Sequence, residues 1–67
     1  MSEADKLFEE LGYEKWIDSR GIIHFIHNKK DKDFTFMDNN CYSIKRPTKD
    51  EQKAIDLKCK ELGWIEE

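Results

Sequence analysis

Two four-residue segments constrain this chain more than any others: Glu10-Leu11-Gly12-Tyr13 near its start and Glu61-Leu62-Gly63-Trp64 near its end. Each closes an amphipathic run, and each has the form of a helix stop. A glycine just past the last turn takes the left-handed conformation without a Cβ penalty, and the aromatic after it folds back on the helix. The first run places Ala4, Leu7, Phe8 and Leu11 on one face at helical spacing. It opens at Ser2, an N-cap with Asp5 three residues on. The second opens after Pro47, with Thr48 as cap and Glu51 completing a capping box. Glu51, Ile55, Cys59 and Leu62 share its face. The echo is two uses of one stop signal, because nothing else in the two halves matches.

The stretch between the helices reads as strands. Tyr13 to Ile17 alternates, and Asp18-Ser19-Arg20-Gly21 is a turn with Gly21 placed for positive φ. Ile22 to His27 is rich in β-formers and has no breaker. A polar loop over Asn28–Asp33 leads to a strand over Phe34–Met37, a tight turn at Asp38-Asn39-Asn40, and a last strand over Cys41–Lys45. The order is α-β-β-β-β-α, with connections short enough for antiparallel hairpins. The expected fold is therefore α+β: one domain over residues 1–67, an antiparallel three- to four-stranded sheet with two helices on one face.

Alternation then assigns faces. Tyr13 is tied to the first helix, so Tyr13, Lys15 and Ile17 point to the helices and Trp16 points away. Ile23 and Phe25 go in, with Ile22, His24 and Ile26 opposite. Phe34 and Phe36 go in, with Thr35 and Met37 out. On the last strand Tyr42 and Ile44 are expected inside, with Cys41 and Ser43 outside. The remainder is informative. Trp16, Ile22, His24, Ile26 and Met37 gather on a face where only solvent is expected, and Leu57 lies nearly opposite Ile55 on the second helix. Monomers seldom expose large apolar patches. These six residues are the candidate partner-binding set, for a second protein or for a homodimer formed through the open sheet face or an edge strand.

Other chemistries fare worse. The spacing of His24 and His27 sends them to opposite faces of a strand, so they cannot chelate one metal. With Cys41 and Cys59 they have the residue types of a zinc site but not its spacing. The two cysteines, in a chain whose start (Met1 to Asp5) lacks a signal-peptide pattern, read as reduced, unpaired thiols of a cytoplasmic protein. Cys41 is expected outward and Cys59 in the core. No run is apolar enough to span a bilayer, no glycine-rich phosphate loop occurs, and neither an enzyme nor a cofactor is expected. The net charge of −3 hides a mildly basic middle between two acidic ends. That middle supports the rival reading, a small single-stranded nucleic-acid-binding module. Trp16 and His24 would be its stacking platforms, with Lys29, Lys30, Lys32, Lys45 and Arg46 as its phosphate contacts.

The opening Ser2-Glu3-Ala4-Asp5-Lys6 through Phe8-Glu9-Glu10-Leu11-Gly12-Tyr13 and the ending Ala54-Ile55 through Lys58, Glu61-Leu62-Gly63-Trp64 resemble a group of small orphan proteins of bacteriophages and prophages of Gram-positive bacteria. The resemblance covers both ends well and the middle loosely. Members of that group mostly lack an assigned function, so no residue role carries over. The resemblance implies an accessory phage protein in the host cytoplasm. The class-level expectation is that it binds and inhibits a host protein, with host defence (a CRISPR-Cas nuclease, for example) as the favoured target.

Overall fold

In the computed structural model, which describes residues 2–64, the chain runs α1 (Glu3–Glu10), β1 (Glu14–Ile17), β2 (Ile23–His27), β3 (Lys32–Met37), β4 (Asn40–Tyr42) and α2 (Lys49–Glu61). The strands form one antiparallel sheet in the order β1-β2-β3-β4. The expected α+β fold is the fold observed.

Local signals set the helix ends. The Ser2 hydroxyl accepts from the Asp5 backbone N–H, and Thr48 and Glu51 form a reciprocal capping box. At the far ends, Gly12 (φ 95°) and Gly63 (φ 77°) are left-handed. The N–H of Tyr13 donates to the Phe8 carbonyl, and that of Trp64 to the Cys59 carbonyl. Both closures are Schellman motifs, and both aromatics fold back. The Tyr13 ring meets the edge of Phe8 at 5.7 Å, and Trp64 reaches Phe36 at 6.4 Å.

The two helices cover one face of the sheet. Phe8 is fully buried between them and the strands, stacked on Phe25 at 4.0 Å and meeting Phe36 edge-on at 6.1 Å. With Tyr13, Phe34, Ala54 and Ile55 these residues make the core, fringed by Leu11, Ile23, Cys59 and Leu62. A polar seam closes the layer. Lys58 is buried, with Asp5 at 2.8 Å and Glu61 at 3.6 Å, and Asp5 also takes Lys15 at 2.8 Å. Burial by itself would raise the Asp5 pKa; the two lysines outweigh it and hold it low.

The deepest polar group is Glu51, 1% exposed. Its carboxylate accepts from the Tyr13 hydroxyl (2.7 Å), the backbone N–H of Thr48 (2.9 Å) and the Lys32 ammonium. The capping carboxylate of α2 therefore also ties down the end of α1 and the start of β3. Burial alone would favour the neutral acid, yet these donors hold Glu51 down at about 2. Burial and the adjoining carboxylate push the Tyr13 phenol up.

The last hairpin corrects the sequence reading. Positive φ at Asp38 (52°) and Asn39 (62°) makes a two-residue turn of the primed type, where a three-residue turn including Asn40 was expected. Asn40 is therefore in the ladder opposite Met37, and Cys41 lies opposite Phe36. A one-residue slip exchanges the faces of every side chain that follows. Cys41 packs against the core, while Tyr42 is turned to the open face and Ile44 is 95% exposed beyond the end of β4. The expectation of Tyr42 and Ile44 inside and Cys41 outside is overturned. The loop after β2 is also shorter than expected, because Lys32 and Asp33 already belong to β3. Ile17 lies on the helix side, opposite Ile23, but is 52% exposed at the sheet edge.

Two outcomes follow for stability. A Cβ at residue 12 would sit 2.7 Å from His27 Nε2, whereas nothing lies within 4 Å of one at residue 63. Gly12→Ala should therefore cost more than about 1 kcal/mol, and more than Gly63→Ala, in urea denaturation. The folded-state pKa of Glu51 lies below its ordinary 4.5, so its contribution is complete above that value and fades as pH falls toward 2. The gap is worth on the order of 3 kcal/mol. Glu51→Gln should be less stable than the parent near neutral pH, and the difference should shrink as pH is lowered through that window.

Candidate functional site

The face away from the helices is built from one turn and three registers. Asp18 organises the β1–β2 turn. Its Oδ1 accepts from the backbone N–H groups of Arg20 (2.8 Å) and Ile22 (3.0 Å), and the Gly21 N–H donates to its carbonyl (3.0 Å). The second carboxylate oxygen, Oδ2, lies 3.1 Å from His24 Nε2, and His24 Nδ1 lies 3.0 Å from Thr35 Oγ1. A carboxylate can only accept, so Nε2 carries a proton, and in the neutral ring Nδ1 accepts from the Thr35 hydroxyl. The hydrogen bond to His24 leads the causes that hold the Asp18 carboxyl down at about 2. The fixed imidazole supports Trp16, whose ring lies 4.9 Å from it at 32°.

Strand pairing extends this into a row. Trp16 is opposite His24, His24 opposite Thr35, and Thr35 opposite Tyr42. The row crosses all four strands, with Trp16 (55% exposed) at one end and Tyr42 (50% exposed) at the other. A second row, Glu14–Ile26–Asp33, lies beside it. Ile26 and Met37 are half-buried at open-face positions, and half-buried Ile22 immediately precedes β2.

Five of the six candidate residues are thus brought together: Trp16, Ile22, His24, Ile26 and Met37. Leu57 is not among them. It lies on the outside of the helical layer, in a shallow groove with Leu7, Glu10 and Lys53, across the protein from the sheet face. Tyr42 is the functional candidate that sequence reasoning missed. The signal that finds it is the Asp38-Asn39 pair, which supports a two-residue turn and moves Tyr42 outward.

Asp18, His24 and Thr35 have the order of a carboxylate–imidazole–hydroxyl relay. Thr35, however, sits within an interior strand whose backbone N–H groups serve the ladder, which leaves no paired donors beside it for an oxyanion. His27 is on the other face, against Tyr13 at 5.1 Å. Among the described residues no three His, Cys, Asp or Glu side chains group to hold a metal ion. Both cysteines are free, and burial, with Cys59 nearby, pushes the Cys41 thiol up to about 12. No helix among the described residues is long and apolar enough to cross a membrane.

No family model, no curated protein and no solved structure matches this chain.

The division of labour between the faces is directly measurable. Phe36 is buried against Phe8 and Phe25, so Phe36→Ala should cost roughly 3–5 kcal/mol, the range for a core phenylalanine. Trp16→Ala should cost less than about 1 kcal/mol, as surface changes do. Equal losses in chemical denaturation would make Trp16 a core residue and remove it from the site.

Proposed function

We propose that this protein is a non-enzymatic interaction module whose open sheet face docks on another protein. The observation that carries the reading is the Trp16–His24–Thr35–Tyr42 row. Two half-exposed aromatics stand at its ends, and its middle is pinned by the Asp18–His24–Thr35 hydrogen bonds. Pre-set aromatic side chains lose little entropy on binding, and tryptophan and tyrosine dominate interface hot spots. The resemblance of both chain ends to phage and prophage proteins extends the proposal. The module acts in the host cytoplasm, where it binds and inhibits a host protein, with host defence as the favoured target and a CRISPR-Cas nuclease as one example.

The charges on the face support a protein partner over a single-stranded nucleic acid. Its strand positions carry Glu14 and Asp33 and no lysine or arginine. Of the five cations that a phosphate backbone would need, Lys32 is turned to the helix side and bound by Glu51, and Lys45 donates to the Lys30 carbonyl.

The test begins with capture of the partner from host lysate by the tagged protein, followed by calorimetry with the purified pair. Trp16→Ala should weaken binding by about 2 kcal/mol or more, the usual hot-spot loss, and Tyr42→Ala should weaken it as well. Affinity should change by less than about tenfold between 50 and 200 mM salt, where contacts to several phosphates would weaken it far more steeply. A partner that binds Trp16→Ala as tightly as the parent would contradict the reading. So would a nucleic acid lost over that salt range. If the face instead joins two copies, Trp16→Ala will convert a sedimenting dimer to monomer.

A further inference from the structure

The open face has a charge pattern of its own, and resting on the protein-docking reading, it defines the chemistry of the partner. Glu14 and Asp33 are the cross-strand neighbours of Ile26 on either side. Strands are spaced about 4.8 Å apart, so two carboxylates roughly 10 Å apart bracket one apolar side chain. Along β1, Glu14 is the same-face neighbour of Trp16, roughly 7 Å away. Both carboxylates are exposed, and neither forms an ion pair among the described residues. Lys15 and Lys32, the chain neighbours of the two carboxylates, are bound by Asp5 and Glu51, and Lys45, which borders the cleft beside Ile26 and Asp33, is held by the Lys30 carbonyl at 3.0 Å.

An apolar, aromatic surface framed by two uncompensated carboxylates repels an acidic or phosphate-bearing partner. It attracts a surface in which basic and apolar side chains alternate. Arginine meets both demands at once. Its guanidinium forks onto a carboxylate and stacks on an aromatic face, and Glu14 beside Trp16 offers the two together. We infer that the occupant of the open face is a cationic protein segment, with arginine side chains at Glu14 and Asp33 and an apolar side chain on the Ile26–Trp16 surface between them.

The test is a titration of the isotope-labelled full chain, followed by amide NMR, with three synthetic peptides of one length and with oligothymidine. The peptides alternate leucine with arginine, with serine or with glutamate. The leucine–arginine peptide should shift the amides of Glu14, Trp16, Ile26 and Asp33. It should bind about tenfold more tightly than the leucine–serine peptide, as two modest ion pairs would add, and the glutamate peptide should bind more weakly than either. The double variant Glu14→Gln/Asp33→Asn, whose amide spectrum reports that it is folded, should erase the arginine advantage and keep the Trp16-dependent remainder. Equal binding of the arginine and serine peptides at this face would overturn the cationic inference and leave the docking reading standing. An arginine advantage that survives in the double variant would overturn it too. If no peptide shifts the face, or oligothymidine alone does, both readings fall.

Discussion

The carboxylate of Glu51 is the constraint on which the rest of this structure depends. A buried charge is tolerated only when it is paired and hydrogen-bonded, and Glu51 takes its donors from three directions: the cap of its own helix, Tyr13 just after α1, and Lys32 at the start of β3. Removing any one donor leaves a charge in the interior with fewer bonds. The same group therefore fixes where α2 begins, how α1 meets the sheet and where β3 enters it. Phe8, Phe25, Phe34 and Phe36 supply the apolar burial, but apolar contact is not directional and would accept several helix placements. The hydrogen bonds to Glu51 select among them.

Once both helices are committed to one side, the other side of the sheet has no covering layer among the described residues. Its order comes instead from the Asp18 turn, which aligns His24, and from His24, which supports Trp16. The two faces thus carry different burdens. The helical face holds the fold through burial and enclosed ion pairs. The open face holds its shape through short-range hydrogen bonds that stay in place without a core beneath them. Substitution of the half-exposed Trp16 or Tyr42 on the open face should therefore cost little stability.

Features that depend on neighbouring residues were legible in the sequence. The Ser2 and Thr48 caps, the Gly12 and Gly63 stops and the order of the strands all follow from local backbone requirements. The outward placement of Trp16 follows from alternation counted from Tyr13, which the helix stop pins, and that of His24, Ile26 and Met37 from taking Ile23 with Phe25 and Phe34 with Phe36 as the core pairs of their strands. The β4 side chains were not legible, because their faces hang on whether Asn40 belongs to the turn or to the ladder, and a single residue decides it. Glu51 reads as a capping residue, but its bonds to Tyr13 and Lys32 span 38 and 19 residues, and no local pattern announces them. Leu57 shows the converse limit. A stray apolar residue opposite the core face of a helix looks like part of a site until the fold places it in a different layer.

The claim that one face holds the fold and the other is free to bind can be measured in the isolated protein by paramagnetic relaxation with a soluble, uncharged gadolinium chelate. The Trp16 indole, the Tyr42 ring and the Met37 methyl should relax strongly. Phe25, Phe34 and Ile55 should be protected, so that sensitivity alternates residue by residue along β3 from Asp33 to Met37. Protection of Trp16 and Tyr42 equal to that of Phe25 in the monomer would show the open face to be covered, and would contradict the account.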